Sequence, residues 1–525
     1  MKKLPLGKQN FANLRENDYI YVDKTKYIYE LIKNSNVYFL SRPRRFGKSL
    51  LVSTLKELYK GNKKLFKGLY IYDKWDWTKD FSVITIDFGS ITKKSPERLE
   101  NSLNKYLLRI AMDYSIDFIS DELSDRFAEL IEKVSKCTGK KVVVLIDEYD
   151  KAILDNVDDF EIANANRLIL SDFYAVLKST DEFLEFVFIT GVTKFSKTSI
   201  FSGLNNLTDL TIDPNYPCIC GYTQEELEIC FEERLDDLSK KNNVKKDFLL
   251  DLIKQWYDGY SWNGKDFLYN PQSILNLLNT GVFNNYWFET GTPTFLMKFI
   301  EKGIDTNVLL SPNQTISGTF PNFDINNIDF KTVLLQAGYL TIKKMVCELG
   351  KLPVYTLGIP NQEVNDSLYG NILAYYTNNS AESIPPIANK MLKEIVLFDE
   401  KGLQESFNLL ISNIPYTLYG NVKEDIREAN YHMLFLSWLQ LLGLDIQGEI
   451  LTNKGRIDAI LKKDDLIVVI EIKYSLNKSL NKLVNEAINQ IKDKKYYNPF
   501  IDKNVLFLAV AIRDRDVACK MEKFK

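Results

Sequence analysis

Histidine is nearly absent from this chain, because the 525 residues contain only one, His432. A Ser-His-Asp triad, a zinc site built on several histidines and a histidine proton relay are therefore excluded everywhere else in the sequence. Chemistry in this protein must rest on carboxylates, lysines, backbone amides that bind phosphate, and Mg²⁺.

The six cysteines are scattered and lack the spacing typical of a metal site. Cys218 and Cys220, with Cys230 nearby, form a C-x-C pair rather than the C-x₂₋₄-C spacing of zinc ligands, and no histidine lies near them. We therefore expect free, buried thiols in a reducing compartment.

Long apolar runs and a strong net charge are also missing. No run of about 18 or more uncharged apolar residues is present, and the first ten residues lack the apolar stretch of a signal peptide. We therefore expect a cytoplasmic protein that is neither secreted nor membrane-spanning. The net charge of −3 means that any contact with nucleic acid requires a local basic patch. At about 150 residues per domain, the length predicts roughly three to four domains.

The most informative segment is SRPRRFGKSLL, residues 41–51. An apolar run over 37–40 precedes it and predicts a buried strand, while apolar residues at helical spacing follow it. The segment ends in Gly47-Lys48-Ser49 and so matches the end of a phosphate-binding (Walker A) loop. Such a loop binds phosphate through backbone amides at a helix N-terminus, while Lys48 reaches the outer phosphates and Ser49 holds Mg²⁺. The predicted nucleotide-binding residues of the loop are consecutive: Arg44, Arg45, Phe46, Gly47, Lys48, Ser49 and Leu50.

Arg42 departs from the G-x-x-x-x-G-K-S pattern, which has glycine at this position. Since residues other than glycine disfavour positive φ, we expect the loop to curve differently there. The alternative interpretation of the whole segment is a basic turn that caps a core helix.

Two further strands end in polar residues that suit a nucleotide site. KVVVLIDEYDK, residues 141–151, has five apolar residues followed by Asp147 and Glu148. At the carboxyl end of a parallel strand, the aspartate would support Mg²⁺ and the glutamate would orient the attacking water. EFVFITGVT, residues 185–193, brings Thr190 to the position of a polar sensor of the γ-phosphate or the water. A core strand ending in an acidic loop, and a strand ending in a turn, are the alternatives.

The order of the remaining patterns indicates the domain organisation. Strands alternating with helices predict a parallel α/β sheet of the P-loop type over residues 1–215. Helical patterns over 216–290 predict a lid over the nucleotide. In 291–385, a helix near residues 331–337 followed by two strands predicts a winged-helix-like module that connects domains or touches DNA.

GRIDAILKKDDLIVVIEIK, residues 455–473, predicts a β-hairpin that carries a second site in an α/β domain, 386–525, like that of restriction endonucleases. Antiparallel pairing brings Asp458 near Glu471, and period-two alternation puts Lys473 on the face of Glu471. Two acids and a lysine on an apolar ribbon are costly unless they are solvated, paired or bound to metal. The alternative is a surface hairpin with a solvated ion pair.

The helix predicted over 421–442 adds a third carboxylate, Glu428, to this site. We expect Glu428, Asp458 and Glu471 to bind one or two Mg²⁺ ions, which polarise the scissile phosphate and acidify a water. Lys473 would position or activate that water and stabilise the developing charge.

Together these motifs resemble a microbial family that joins an AAA-type ATPase-like domain to a C-terminal PD-(D/E)XK nuclease-like domain. The resemblance covers nearly the whole chain through YVDKT (21–25), RPRRFGKS (42–49), LIDEYD (145–150), ITGVTKFS (189–196), IFSGLNNL (200–207), WYDGY (256–260), GYLTI (338–342), YH (431–432), GRIDAIL (455–461) and IEIK (470–473). It implies that Arg42 is normal for the family. It also implies nucleotide roles for Lys48, Ser49, Asp147 and Glu148, and nuclease roles for Asp458, Glu471 and Lys473.

We therefore expect a Mg²⁺-dependent nuclease whose hydrolysis of phosphodiester bonds is gated by or coupled to ATP, with DNA favoured over RNA. ATP and Mg²⁺ are the expected cofactors, nucleic acid is the expected partner, and a homo-oligomer is left open. Two alternatives use the same motifs. One is a signalling ATPase whose terminal domain binds nucleic acid without cutting it, and the other is an ATP-dependent translocase with a degenerate nuclease fold as a clamp.

Overall fold

The computed structural model describes residues 1–525 except 35, 92–93, 158, 196–199, 202–203, 205, 288–314, 318–328, 378–383, 413–430, 432–433, 436, 442–444, 453–454, 464 and 525. The described residues form two compact units. The first lies within Met1–Gly291 and Thr315–Asn361, and the second within Gln362–Lys525. Among the helices of these described ranges, none is both long and apolar enough to cross a membrane.

A five-stranded parallel sheet lies at the centre of the first unit. Its strands are β1 (Val37–Ser41), β2 (Ser82–Asp87), β3 (Val142–Asp147), β4 (Leu184–Gly191) and β5 (Thr208–Asp209). Their order across the sheet is β2-β3-β4-β1-β5, and all pairs are parallel. The predicted α/β parallel sheet is confirmed. Because parallel strands end at one edge of a sheet, the ends of β1, β4 and β3 meet there.

Helices cover this sheet, and every residue of β1 and β3 is buried. Within the fourth helix, Leu99, Leu103 and Leu107 recur at a spacing of four, so one face of the helix is apolar and buried. This helix begins where the Ser95 hydroxyl accepts a backbone amide and Pro96 follows. The helices are α1 (Phe11–Glu16), α2 (Thr25–Asn34), α3 (Lys48–Tyr59), α4 (Pro96–Asp113), α5 (Leu123–Thr138), α6 (Lys151–Leu154) and α7 (Phe160–Ser179).

The region predicted as a lid is helical. It contains α8 (Gln224–Cys230), α9 (Glu232–Asn242), α10 (Lys246–Tyr257) and α11 (Pro271–Thr280). Their apolar faces share one core with Ile20 and Val22 of the N-terminal segment. The first of these helices begins at a capping box formed by Thr223 and Glu226.

The YVDKT segment fastens the N-terminal residues to the rest of the first unit. The Asp23 carboxylate accepts backbone amides from Thr25 at 2.8 Å and from Tyr70 at 2.7 Å. Lys24 is buried and forms an ion pair with Glu226 at 2.6 Å. The residues of YVDKT therefore have a structural role: Asp23 accepts backbone hydrogen bonds, and Lys24 pairs with Glu226.

The described residues within Thr315–Asn361 also belong to the first unit. They form β6 (Thr315–Ser317), α12 (Phe330–Ala337), β7 (Thr341–Val346) and β8 (Val354–Gly358), with the strands in the order β6-β8-β7. The helix and the hairpin predicted within 291–385 are confirmed. The hairpin packs on the loop 258–264, because the Ser261 amide donates to the Thr341 hydroxyl at 2.7 Å.

The second unit contains a five-stranded mixed sheet. Its elements are α13 (Gln362–Thr377), α14 (Ile384–Val396), α15 (Glu400–Ser412), β9 (Asp445–Thr452), β10 (Gly455–Lys463), β11 (Leu466–Tyr474), α16 (Leu480–Lys494), β12 (Asn504–Arg513) and β13 (Asp516–Phe524). The order is β13-β12-β11-β10-β9, and only the β11–β12 pair of this sheet is parallel. The predicted hairpin of β10 and β11 is confirmed, and α16 packs against one face of the sheet.

Candidate functional site

The phosphate loop, residues 42–47, connects β1 to α3. Its turn is made by Arg45 and Gly47, which have φ of 66° and 97°, whereas Arg42 does not adopt positive φ. The backbone at position 42 therefore needs no glycine, and the expectation that the loop curves differently at Arg42 stays a prediction. Lys48 Nζ donates to the backbone oxygens of Arg42 and Pro43, each at 2.9 Å. Burial lowers the pKa of Lys48.

A cavity of about 410 Å³ opens in front of this loop. Its charged lining consists of one carboxylate, Glu148, and five cations: Lys8, Arg44, Arg45, Lys48 and Lys151. Gly47, Ser49 and Leu50 also line it. An excess of cations in a concave site attracts a polyanion such as a triphosphate.

Phe46 differs from the other loop residues predicted to bind nucleotide. Its side chain is fully buried, and its ring makes edge contacts with Tyr260 at 5.0 Å and Trp262 at 5.2 Å. It also lines a smaller apolar pocket beside the cavity. The structure therefore gives Phe46 a packing role in the loop.

Ser49 and Asp147 come together at the carboxyl edge of the sheet. The Ser49 hydroxyl donates a hydrogen bond to the Asp147 carboxylate, which is 6% exposed. Burial raises the pKa of Asp147 to about 6. Hydroxyl and carboxylate oxygens are the ligands that Mg²⁺ prefers, and a bound cation would offset the cost of burying this charge. The two side chains thus fit Mg²⁺.

Glu148 lies next to this pair, in a strained conformation with φ of 55°. Its carboxylate forms an ion pair with Lys151 at 2.7 Å. The carboxylate also lies close to the turn after β2, since a Cβ atom on Gly89 would be 3.0 Å from Glu148 Oε2. Glu148 therefore lines the cavity near the turn that follows β2.

Thr190 lies near the end of β4, between the strands that carry the phosphate loop and Asp147. Its hydroxyl is buried and has no hydrogen-bond partner among the residues that the structure describes. Asp150, which the sequence analysis overlooked, fixes the segment that follows: its carboxylate accepts the backbone amides of Val192 at 3.0 Å and Thr193 at 2.6 Å. The second aspartate of DEYD was the signal for this contact.

Asp147→Asn is expected to stabilise the folded protein at neutral pH. As pH rises from about 4 to about 6, the unfolded chain loses the Asp147 proton before the folded chain does, so the raised pKa lowers stability across that window. Asparagine removes this cost, about 3 kcal/mol at pH 7 and well below 1 kcal/mol at about pH 4. Thermal melts without Mg²⁺ at both pH values measure the difference. If the parent and the variant have equal stability at pH 7, burial of the Asp147 charge does not destabilise the folded protein.

In the second unit, Asp458 and Glu471 lie on the same face of the sheet. Ile460 pairs with Val469 across β10 and β11, and both belong to the core under α16. Alternation along each strand therefore points Asp458 and Glu471 to this face. Asp458 accepts the backbone amide of Ile472 at 2.7 Å.

Lys473 completes this group. Its ammonium contacts Glu471 Oε1 at 2.9 Å, and Glu471 itself is 1% exposed while Lys473 is 30% exposed. A nearly inaccessible carboxylate beside an accessible ammonium leaves the cation able to reach an incoming phosphate. Carboxylate oxygens at this position fit a divalent cation.

Tyr496 extends the same face and was missed in the sequence. Burial raises its pKa, its hydroxyl is hydrogen-bonded to Gln490, and the charges of Glu471 and Asp458 raise the pKa further. Tyr496 belongs to the same core under α16 as Ile460 and Val469, on the face of the sheet that carries both carboxylates. The signal in the sequence was the tyrosine pair that follows the amphipathic helix α16.

Glu428 and His432 lie outside the described residues. Tyr431, next to them in sequence, is described: its ring packs on Tyr474 at 5.4 Å and its hydroxyl donates to the backbone oxygen of Asp514. Within the described part of the chain, no group of three or more His, Cys, Asp or Glu side chains is arranged to hold a metal ion. The predicted metal site here therefore consists of Asp458 and Glu471, with its third carboxylate still a prediction.

Comparisons with known proteins match both units. The sequence model of the Predicted AAA-ATPase family matches residues 5–201, and that of the PD-(D/E)XK nuclease superfamily matches residues 426–520. A protein of Azotobacter chroococcum mcd 1, described as "Uncharacterized protein in vnfD 5'region", is 38% identical over 500 residues, which cover 95% of this chain and 94% of that protein. The first match includes Lys48 and Asp147, and the second includes Asp458 and Lys473.

Proposed function

Because the chain belongs to the family that joins an AAA-ATPase-like domain to a C-terminal PD-(D/E)XK nuclease domain, we propose that it is a Mg²⁺-dependent nuclease controlled by ATP. The observation that carries the proposal is the common face of Asp458, Glu471 and Lys473 beneath α16. Two carboxylates and a lysine in this arrangement suit hydrolysis of a phosphodiester. The proposal includes DNA as the preferred substrate, a cytoplasmic location, and domain limits at residues 215, 290 and 385.

In the first unit, the residues around the cavity support binding of a nucleoside triphosphate. Lys48 and the backbone amides of the loop would bind phosphate oxygens at the N-terminus of α3. Ser49 and Asp147 would hold Mg²⁺, which shields the phosphate charges when bound. Glu148 would orient the attacking water, with Thr190 as the polar contact at the neighbouring strand end.

The base of the nucleotide has a separate candidate pocket. Beside the phosphate loop, an apolar space of about 60 Å³ shares Gly47, Leu50, Tyr222 and Pro271 with the main cavity. An aromatic ring and a proline offer flat surfaces for a purine. We propose that adenine binds there while the phosphates occupy the cavity.

In the second unit, Asp458 and Glu471 would hold the divalent cation, with Glu428 as the proposed third ligand. Mg²⁺, when bound there, polarises a phosphate and lowers the pKa of a bound water. Glu471 orients the Lys473 ammonium through their 2.9 Å contact. Lys473 would then position the water and stabilise negative charge on the phosphate.

A plasmid-nicking assay with the intact chain tests the proposal. Supercoiled DNA is incubated with Mg²⁺, with Mg²⁺ and ATP, and with EDTA, and an RNA of similar length is incubated in parallel. We expect nicking that requires Mg²⁺, responds to ATP and is faster on DNA. Absence of cleavage of both substrates under every nucleotide condition would refute the nuclease, and ATP binding alone would then favour the signalling switch.

A further inference from the structure

The side chain of Arg42 points away from the nucleotide cavity into the first unit and is 1% exposed. Its Nη1 donates to the backbone oxygens of Ser41 at 2.8 Å and Thr211 at 2.9 Å, and its Nη2 donates to that of Tyr216 at 3.2 Å. The carbon of the guanidinium group lies 4.0 Å from the centre of the Trp262 ring. Burial lowers the pKa of Arg42 to about 10, so the group stays charged at neutral pH.

Trp262 links Arg42 to a second contact with the phosphate loop. The edge of the Trp262 ring meets the ring of Phe46, four residues further along the loop. The Gly221 amide donates to the backbone oxygen of Phe46 at 3.1 Å, and a Cβ atom on Gly221 would lie 2.7 Å from the Phe46 ring. Only glycine at position 221 permits this approach.

Two more contacts hold the middle of the loop. Asn270, the cap of α11, donates to the backbone oxygen of Arg44 at 3.4 Å. Pro43 packs on Gly338, where an added Cβ atom would lie 2.9 Å from the proline ring. The loop is therefore held from its outer side, while Arg44, Arg45 and the backbone face the cavity.

We propose that Arg42 and Trp262 are positioning residues that hold the phosphate loop in its binding conformation before nucleotide arrives. The inference rests on the nucleotide binding proposed above and adds how the loop is kept ready for it. Ordering a free loop costs conformational entropy, and a loop that is already ordered binds its ligand without that cost. Replacing Arg42 with glycine should consequently weaken nucleotide binding.

Binding of a fluorescent ATP analogue with Mg²⁺ to the intact chain tests the inference. Trp262→Leu is expected to bind about tenfold more weakly, because it loses the guanidinium and Phe46 contacts. Arg42→Gly should bind more weakly than the parent, and Arg42→Lys should fall between them because it keeps the charge. Trp256→Leu is the matched control: Trp256 packs on Tyr257 and Phe283 and does not line the cavity.

Hydrogen exchange separates positioning from general stability. Without nucleotide, the amides of residues 42–47 should exchange faster in Trp262→Leu than in the parent or in Trp256→Leu, and saturating nucleotide should remove the difference. If Arg42→Gly does not fold, Trp262→Leu decides. Unchanged affinity in Trp262→Leu, or equal losses in both tryptophan variants, overturns this inference alone. A parent that binds no nucleotide overturns it together with the proposed ATP site.

Discussion

Lys48→Ala is expected to weaken binding of Mg²⁺-ATP about a hundredfold or more. Lys48 is buried at the start of α3, and its ammonium donates hydrogen bonds to the backbone oxygens of Arg42 and Pro43 in the loop. Hydrogen bonds to charged groups contribute about 1.5–3 kcal/mol each, so two lost contacts with phosphate account for an effect of this size. Titration calorimetry with ATP and Mg²⁺ measures it.

Lys56→Ala provides the control for this variant. Lys56 lies on the same helix, α3, and does not line the cavity. We expect its ATP affinity to match that of the parent. Nucleotide affinity that survives in Lys48→Ala would mean that the loop is not a phosphate site, and any ATP effect on cleavage would then need another origin.

Glu471→Gln is expected to lower the rate of Mg²⁺-dependent cleavage about a thousandfold or more, since a lost metal ligand removes several kcal/mol of charge stabilisation. Glutamine keeps the shape of the buried side chain but removes its charge. The folded structure should persist because Lys473, the partner left behind, is partly exposed to water. Rates of plasmid nicking, with melting curves for both proteins, measure the two effects.

Glu522→Gln is the matched control, since Glu522 pairs with Lys492 on the neighbouring part of this unit but is 37% exposed. Its cleavage rate should equal that of the parent. The ATP affinity of Glu471→Gln should also be unchanged, because its site lies in the second unit. If Glu471→Gln and Glu522→Gln cleave DNA at the same rate, Glu471 takes no part in the reaction.

Local patterns were enough to predict much of the fold. β1, β3 and β11 are largely apolar runs, and the candidate site residues lie near or just after the carboxyl end of each strand. The face shared by Asp458 and Glu471 followed from the short turn of the hairpin and the alternation of side chains. These features depend only on residues close together in sequence.

Contacts between distant residues could not be predicted in this way. Arg42 reaches Thr211, 169 residues away, and the sequence around Arg42 gives no sign of this contact. Phe46 lies in a motif that binds phosphate, yet its ring belongs to the aromatic contacts around Trp262. Tyr496 reaches the carboxylates only because α16 folds back over β11.

The return of residues after 315 to the first unit has a consequence for how the protein is made. Pro43 packs on Gly338, and the Ser261 amide donates a hydrogen bond to Thr341. The phosphate loop therefore lacks part of its support until Gly338 and Thr341 have been synthesised. At about 5–20 residues per second, the ribosome needs roughly 15–60 s to add them after the loop emerges. A nascent chain therefore acquires a finished phosphate loop only late in translation, when the second unit is next to be made.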